Sequence, residues 1–284
     1  LGLDSPFVWP KHWQRMRENG ITHREYQRRV LAMDVGPEAQ LYHCFRRKLD
    51  DGSPGNLRPI PLGAVDVTAE VLAPYAAAGE RLTLLVGHDP GKRQHVSEFI
   101  KAYRVPGRDT RPRWFVVDEV TTPDATIEAH IVEVIARGRD RWHVNMLDRK
   151  GQPDASSGRM IVRADPHTRS GDEHPGADTY AAWRARGVKI RAAAYKANST
   201  EPGVIKRESR FDMNDGRRLF IACDDMGTAA APMLLKAVES MERDGNSKGE
   251  AEKKNESDLS HWPASVGYAL WQIEHPRATD SRVV

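Results

Sequence analysis

The chain has 284 residues, of which 39% are hydrophobic and 29% charged, a balance that supports one large or two small globular domains with a sizeable core. Its formal net charge is only +3, from 43 basic and 40 acidic residues, which excludes histone-like bulk attraction to nucleic acid; any such contact must come from a local basic surface. No run approaches the roughly 18 apolar residues of a membrane span, and Leu1 to Lys11 does not read as a signal peptide.

Leu1 stands where an initiator methionine would, so a piece of a longer or processed protein is expected. Residues 1 to about 78 read as a mostly helical segment ahead of the main fold, a linker or sub-domain. Trp13, Met16, Ile21, Tyr26 and Val30 fall at helical spacings, Asp50 to Gly55 is turn-rich, and Ala64 to Ala78 reads as a helix stopped by Gly79.

The main fold, 79 to 284, begins with Leu82 to Asp89, whose continuous apolar run predicts a strand buried on both faces. Arg113 to Val120 is a second strand. Thr122-Pro123-Asp124 opens a helix with Ile127, His130, Ile131, Val134 and Ile135 on one face. Arg159 to Ala164 is a third strand, running into Asp165-Pro166. A helix over Thr179 to Arg186 stops at Gly187, and strands follow at Val188 to Arg191 and Arg218 to Cys223. Pro232 to Glu242 is a helix, Arg243 to Ser257 a polar loop or hairpin, and His261 to about Ile273 a last helix. The order is α/β, with a mixed central sheet flanked by helices. Cys44 and Cys223 show no zinc spacing and read as two thiols in a reducing compartment.

Asp89 and Asp165 share one context: each ends an apolar strand and precedes a proline. In open α/β sheets the ligand site lies at the carboxyl ends of the strands. Two carboxylates brought together there repel one another, and a divalent cation relieves the repulsion. Hard oxygen donors select Mg²⁺ or Mn²⁺ over zinc, and two such ions roughly 4 Å apart can activate water and stabilise the leaving oxygen of a phosphodiester. Asp258 is the candidate third acid, with His261 three residues on as a further metal or phosphate ligand. Each residue alone has a blander reading: a strand-end turn for either Asp-Pro, an N-cap for Asp258, packing for His261. Their combination in this order is what points to a site. Asp118 and Glu119 rank below Asp165, Glu128 reads as solvated helix face, and His88 is expected on the opposite face of its strand. Lys92, Arg93, Arg169, Lys196, Lys253 and Lys254 flank these acids and are candidate DNA-backbone contacts, largely independent of sequence. No GxxxxGK[ST] loop and no GxSxG motif occurs, so neither a P-loop ATPase nor that hydrolase class is encoded here.

The segments Val86 to Gly91, Trp114 to Val120, Ile161 to Pro166 and Asp258 to Leu270 together resemble the nuclease domain of phage terminase large subunits, an RNase H-like fold. The likeness covers about residues 80 to 275. Its most specific piece is the last, since these proteins often end in a His-x-x-Asp-Ala-x-x-Tyr-Ala-like helix. The resemblance implies three metal-binding acids holding two Mg²⁺ or Mn²⁺ ions, with Asp89 and Asp165 as the first two. At the third, counted from His261, this chain has Ala264, so either Asp258 supplies the carboxylate or the acid is lost. It further implies hydrolysis of concatemeric double-stranded DNA during genome packaging in the host cytoplasm. The implied partners are a portal protein, a small terminase subunit and an ATPase domain of the same full-length protein. Other readings are a different RNase H-fold nuclease, such as a resolvase or transposase, and a non-catalytic DNA-binding or portal-docking module.

Overall fold

The computed structural model describes residues 42, 45–48, 52–91, 94–105, 111–154, 156–165, 179–193, 219–241 and 258–274, without the side chains of residues 258 and 271–274. Eight strands form one sheet: β1 (Leu57–Arg58), β2 (Val65–Asp66), β3 (Leu82–Pro90), β4 (Gln94–Arg104), β5 (Arg113–Pro123), β6 (Arg159–Ala164), β7 (Lys189–Ala192) and β8 (Leu219–Ala222). Among the described residues the α-helices are α1 (Thr68–Leu72), α2 (Ile127–Trp142), α3 (Thr179–Ala185), α4 (Pro232–Ser240) and α5 (His261–Glu274).

The strand order is β1-β8-β5-β4-β3-β6-β7, with β2 pairing β4 off that path. The successive strands β3, β4 and β5 form an antiparallel meander, and β6 returns parallel to β3. Strands β7, β8 and β1 join parallel to their neighbours. Every strand except β4 therefore runs the same way, and the carboxyl ends of β3, β5, β6, β7 and β8 lie along one edge. This is a mixed α/β architecture with a central sheet flanked by helices.

Alternation along the strands splits the core in two. One face carries Leu85, Val96, Ile100, Ile161 and Ile221, packed against Leu234 and Val238 of α4 and Trp262, Val266 and Leu270 of α5. The other carries Leu84, Val86, Phe99, Phe115, Val162 and Phe220, packed against Ile127, Ile131 and Val134 of α2 and Trp183 of α3. Helix α2 takes the apolar stripe expected of it. Its start is fixed by Thr126, whose side chain accepts from the Ala129 amide at 3.3 Å, and its end by His143 in the left-handed region, φ 53°.

Three expectations change. Strand β4, eleven residues long, is not legible as a strand because Ser97 and Glu98 interrupt its apolar pattern, yet both are buried. The segment expected as a helix from 64 to 78 is instead β2, the short α1 and a 3-10 turn at Ala73–Tyr75. Pro74 denies the helix interior an amide, and Val65 and Asp66 find strand partners in Arg104 and Tyr103. The residues from 57 to 75, placed by sequence ahead of the main fold, thus contribute strands and core side chains (Leu72, Tyr75) to it. Strand β5 also runs on to Pro123, so Asp118 and Glu119 lie inside the strand and not at its end. The helical reading of residues 1–41 and the polar loop at 243–257 fall outside the described residues.

Candidate active site at the carboxyl edge of the sheet

Strand β3 divides its side chains cleanly. Val86 and His88 face α2 and α3, while Leu85, Gly87 and Asp89 face α5. His88 is thus on the side opposite Asp89, as its strand position requires. The parallel register of β3 and β6 ends at His88 beside Ala164. Asp89, still within β3, and Asp165, the first residue after β6, each follow that last pair.

Helix α5 closes over both acids. Nδ1 of His261, the first residue of α5, lies 3.0 Å from Oδ2 of Asp89, which is buried at 8% exposure. Further along the helix, the Tyr268 hydroxyl donates to Oδ2 of Asp165 at 3.1 Å. The Asp165 carbonyl accepts from the Tyr180 hydroxyl of α3, also at 3.1 Å. His261, Ala264 and Tyr268 are spaced i, i+3, i+7 and share one helix face, and Ala264 packs against Tyr268 and Ala193. Position 264 therefore lies between the residue that meets Asp89 and the residue that meets Asp165.

Two glycines let α5 come this close. A Cβ on Gly87 would stand 2.0 Å from the Ser265 carbonyl oxygen, so the helix backbone rests directly on the strand. A Cβ on Gly91 would stand 2.9 Å from the His261 ring, so the imidazole lies over the chain leaving β3. The first turn of α5 is held further by Trp262, buried, whose indole N–H donates to Thr121 Oγ1 of β5 at 3.1 Å.

The other acids near this edge have structural employment. Asp118, 2% exposed, points to the α2 face and takes Arg137 at 3.0 Å, Arg141 at 3.1 Å and the Trp142 indole at 3.2 Å. Glu119 caps α4, accepting from the Met233 and Leu234 amides at 2.9 and 3.1 Å. Burial pushes its carboxyl above the ordinary range against those two bonds. Glu98, opposite Glu119 on β4, is fully buried with neither oxygen hydrogen-bonded. Burial first, then the charges of Glu119 and Asp118, hold it well above the usual carboxylate range. Glu128 is exposed on the first turn of α2.

Behind Asp89, on the opposite face, lies a histidine cluster that sequence reasoning missed. His88 Nδ1 meets Ser97 Oγ at 3.1 Å, Ser97 Oγ meets His130 Nε2 at 2.8 Å, and His130 Nδ1 meets Thr122 Oγ1 at 2.8 Å. The His88 and His130 rings stack at 5.1 Å, and His95 lies 5.5 Å from His130. Burial depresses all three; His88 is pushed down to about 3. The cluster was hidden because its members come from β3, β4 and α2.

Of the expected site residues, Asp89, Asp165 and His261 are brought to one edge. Asp258 begins the 3-10 turn that leads into α5, and its side chain is outside the described set. Lys92, Arg93, Arg169, Lys196, Lys253 and Lys254 also lie outside the described residues. Among the described residues no three His, Cys, Asp or Glu side chains converge as a ready metal cage. The donor set that is gathered, two carboxylates on neighbouring strand ends, nevertheless suits a hard cation. Mg²⁺ is commonly held by one or two carboxylates with waters and substrate oxygens completing its shell. Tyr268 was part of the resemblance but not singled out; its i+7 spacing from His261 was the available signal.

The fold is similar to that of a phage large terminase. The chain matches the large terminase of a thermophilic bacteriophage with TM-score 0.51 and 16% identity, over 95% of this chain and 53% of that one. The same protein in complex with ATP-γ-S matches at 0.51 and 15%, over 92% of this chain and 52% of that one. The manganese-bound nuclease domain of the large terminase from bacteriophage SPP1 is a more distant likeness, TM-score 0.40 and 16% identity, over 77% of this chain and 98% of that one. The chain spans about half the length of the thermophilic-phage terminase it matches. No protein-family model and no curated protein sequence matches it. No helix among the described residues is long and apolar enough to cross a membrane.

Proposed function

We propose that the chain is a divalent-cation-dependent endonuclease that hydrolyses double-stranded DNA during viral genome packaging, the nuclease part of a terminase large subunit. The observation that supports this reading is that Asp89 and Asp165 directly follow the last paired residues of the neighbouring parallel strands β3 and β6, and each is contacted by a residue of α5. The two carboxylates would hold Mg²⁺ or Mn²⁺, with Asp258 the candidate for a third ligand or His261 in its stead. When bound, such ions supply Lewis acidity toward the phosphodiester and favour ionised water at neutral pH. The chain's own residues do the rest. Asp89 and Asp165 fix where the cations sit, His261 orients Asp89, and the tight α5–β3 contact excludes solvent from beneath the site. Lys92, Arg93, Arg169, Lys196, Lys253 and Lys254 would track the DNA backbone. In this reading the residues ahead of β1 lead from an ATPase motor. The complete protein works in the host cytoplasm and at the portal, together with a small terminase subunit.

Ala264 keeps a second reading in view, a DNA-binding or portal-docking module without cleavage, because the α5 position between the two acids carries no carboxylate. A plasmid-nicking assay with Mn²⁺ decides. Nicking by the wild type that falls at least a hundredfold in both Asp89→Ala and Asp165→Ala supports the enzyme. DNA retention with no nicking by the wild type overturns it in favour of the module. Preference for four-way junctions over plain duplex would point instead to a resolvase-like substrate.

A further inference from the structure

Each acid at the candidate site is met by one residue of α5. His261 takes Asp89, and Tyr268, two turns along the same face, takes Asp165. Between them stands Ala264, whose methyl group has no means of steering either carboxylate, so on that helix face the steering falls to these two side chains. The Tyr268 ring is buried at 5% exposure, which fixes its hydroxyl in one place. Asp165, by contrast, lies just past the last paired residue of β6 and has lost the strand's restraint. Its backbone is anchored by Tyr180 through the carbonyl, which leaves rotation of the side chain to be decided by other contacts.

We propose that Tyr268 is a positioning residue: its hydroxyl holds Oδ2 of Asp165 so that the carboxylate faces Asp89 in the orientation a divalent cation needs. This rests on the nuclease reading, in which Asp165 is a cation ligand. Hydrogen bonds from an outer residue to a ligating carboxylate govern metal affinity, and their removal weakens binding about 10- to 100-fold. One hydroxyl here does the orienting work for which a third carboxylate on α5 is not available.

The test uses the full chain and Mn²⁺ alone, by calorimetric titration, on the wild type, Tyr268→Phe, Tyr180→Phe, Asp89→Asn and Asp165→Asn. Tyr268→Phe keeps the buried ring and removes only the hydroxyl. It should bind Mn²⁺ at least tenfold more weakly while its thermal unfolding midpoint stays near that of the wild type. Its nicking activity should return as Mn²⁺ is raised, whereas that of Asp165→Asn should not. Tyr180→Phe, which removes a hydroxyl from the same strand end but from the backbone contact, should bind Mn²⁺ as the wild type does. Unchanged affinity in Tyr268→Phe overturns the inference and leaves the nuclease reading standing. An equal loss in Tyr268→Phe and Tyr180→Phe also overturns it, since general loosening of the strand end would then be the cause. If Asp89→Asn and Asp165→Asn bind Mn²⁺ like the wild type, the nuclease reading itself falls.

Discussion

Acid should loosen this protein through His88, and the size of the effect follows from where that ring sits. His88 is fully buried, bonded through Nδ1 to Ser97, stacked on His130, and set edge-on to Trp183 with ring centroids 5.5 Å apart. Burial, then repulsion from His95, push its pKa down to about 3. The unfolded chain titrates near the ordinary histidine value, about 6.5, so the folded state binds the proton more weakly than the unfolded one. The stability this contributes is fully present above pH ~6.5 and is lost as pH falls toward 3. At about 1.4 kcal/mol per pH unit, the loss is about 2 kcal/mol by pH 5 and about 5 kcal/mol across the window, against a typical total of about 5–15 kcal/mol. His95 and His130 are shifted in the same direction and steepen the fall. Glu98 and Glu119 oppose it: their folded pKa values are raised, so their stability is present at low pH and lost as pH rises. Comparison with His88→Asn removes that opposing slope, because both proteins share it. Urea unfolding at pH 8, 7, 6 and 5 should show the wild type losing about 2 kcal/mol relative to the variant between the extremes. Curves that stay parallel within about 0.5 kcal/mol would refute the claim that a neutral imidazole is required there.

Other expectations concern the contacts that shape the site. Gly87→Ala should cost more than about 2 kcal/mol in urea unfolding, because its Cβ would meet the Ser265 backbone oxygen at 2.0 Å, and neither strand nor helix can yield cheaply. Gly91→Ala should lower both the urea midpoint and, by at least tenfold, Mn²⁺-dependent nicking, because its Cβ would meet the Gln94 backbone oxygen at 2.5 Å and the His261 ring at 2.9 Å. Asp118→Ala should destabilise by about 1–2 kcal/mol, mainly through the lost acceptor of the Trp142 indole, since the partly exposed Arg137 and Arg141 can turn to water; thermal and urea unfolding both report it. Glu119→Ala should cost about 1 kcal/mol by uncapping α4, seen as a lowered urea midpoint with an unchanged slope.

The parts of the fold that showed in the sequence are those whose neighbours are all apolar. Strands β3 and β6 are flanked by strands on both sides and covered by helices on both faces, so Leu84 to Val86 and Met160 to Val162 read as unbroken hydrophobic runs. Strand β4 sits as deeply but spends Ser97 on the histidine chain and carries the buried, unbonded carboxyl of Glu98, and those polar positions erase its pattern. Asp89 and Asp165 were legible because each is a charge at the end of an apolar run, a local signal. Their adjacency was not local: it depends on β6 pairing with β3 across the intervening β4, β5 and α2. The grip of Tyr268 on Asp165 spans 103 residues and leaves no mark on the sequence near either partner beyond helical spacing. His261 was named as a possible ligand, and its contact with Asp89 likewise depends on a distant docking event that Gly87 and Gly91 permit.

The seat that Gly87 offers Ser265 has a consequence for how activity would arise as the polypeptide is made. The residues of the two strand ends are all present in the chain by residue 165, ahead of the helix that contacts both acids. Only when residues 261 to 268 come to rest against that bare stretch of β3 does each acid acquire its guide. A truncated chain lacking that last docking step would lose both α5 contacts to the acids together with the core side chains that α5 lays on the sheet. Under the proposed nuclease function, activity would then switch on with the completion of folding rather than grow along with it.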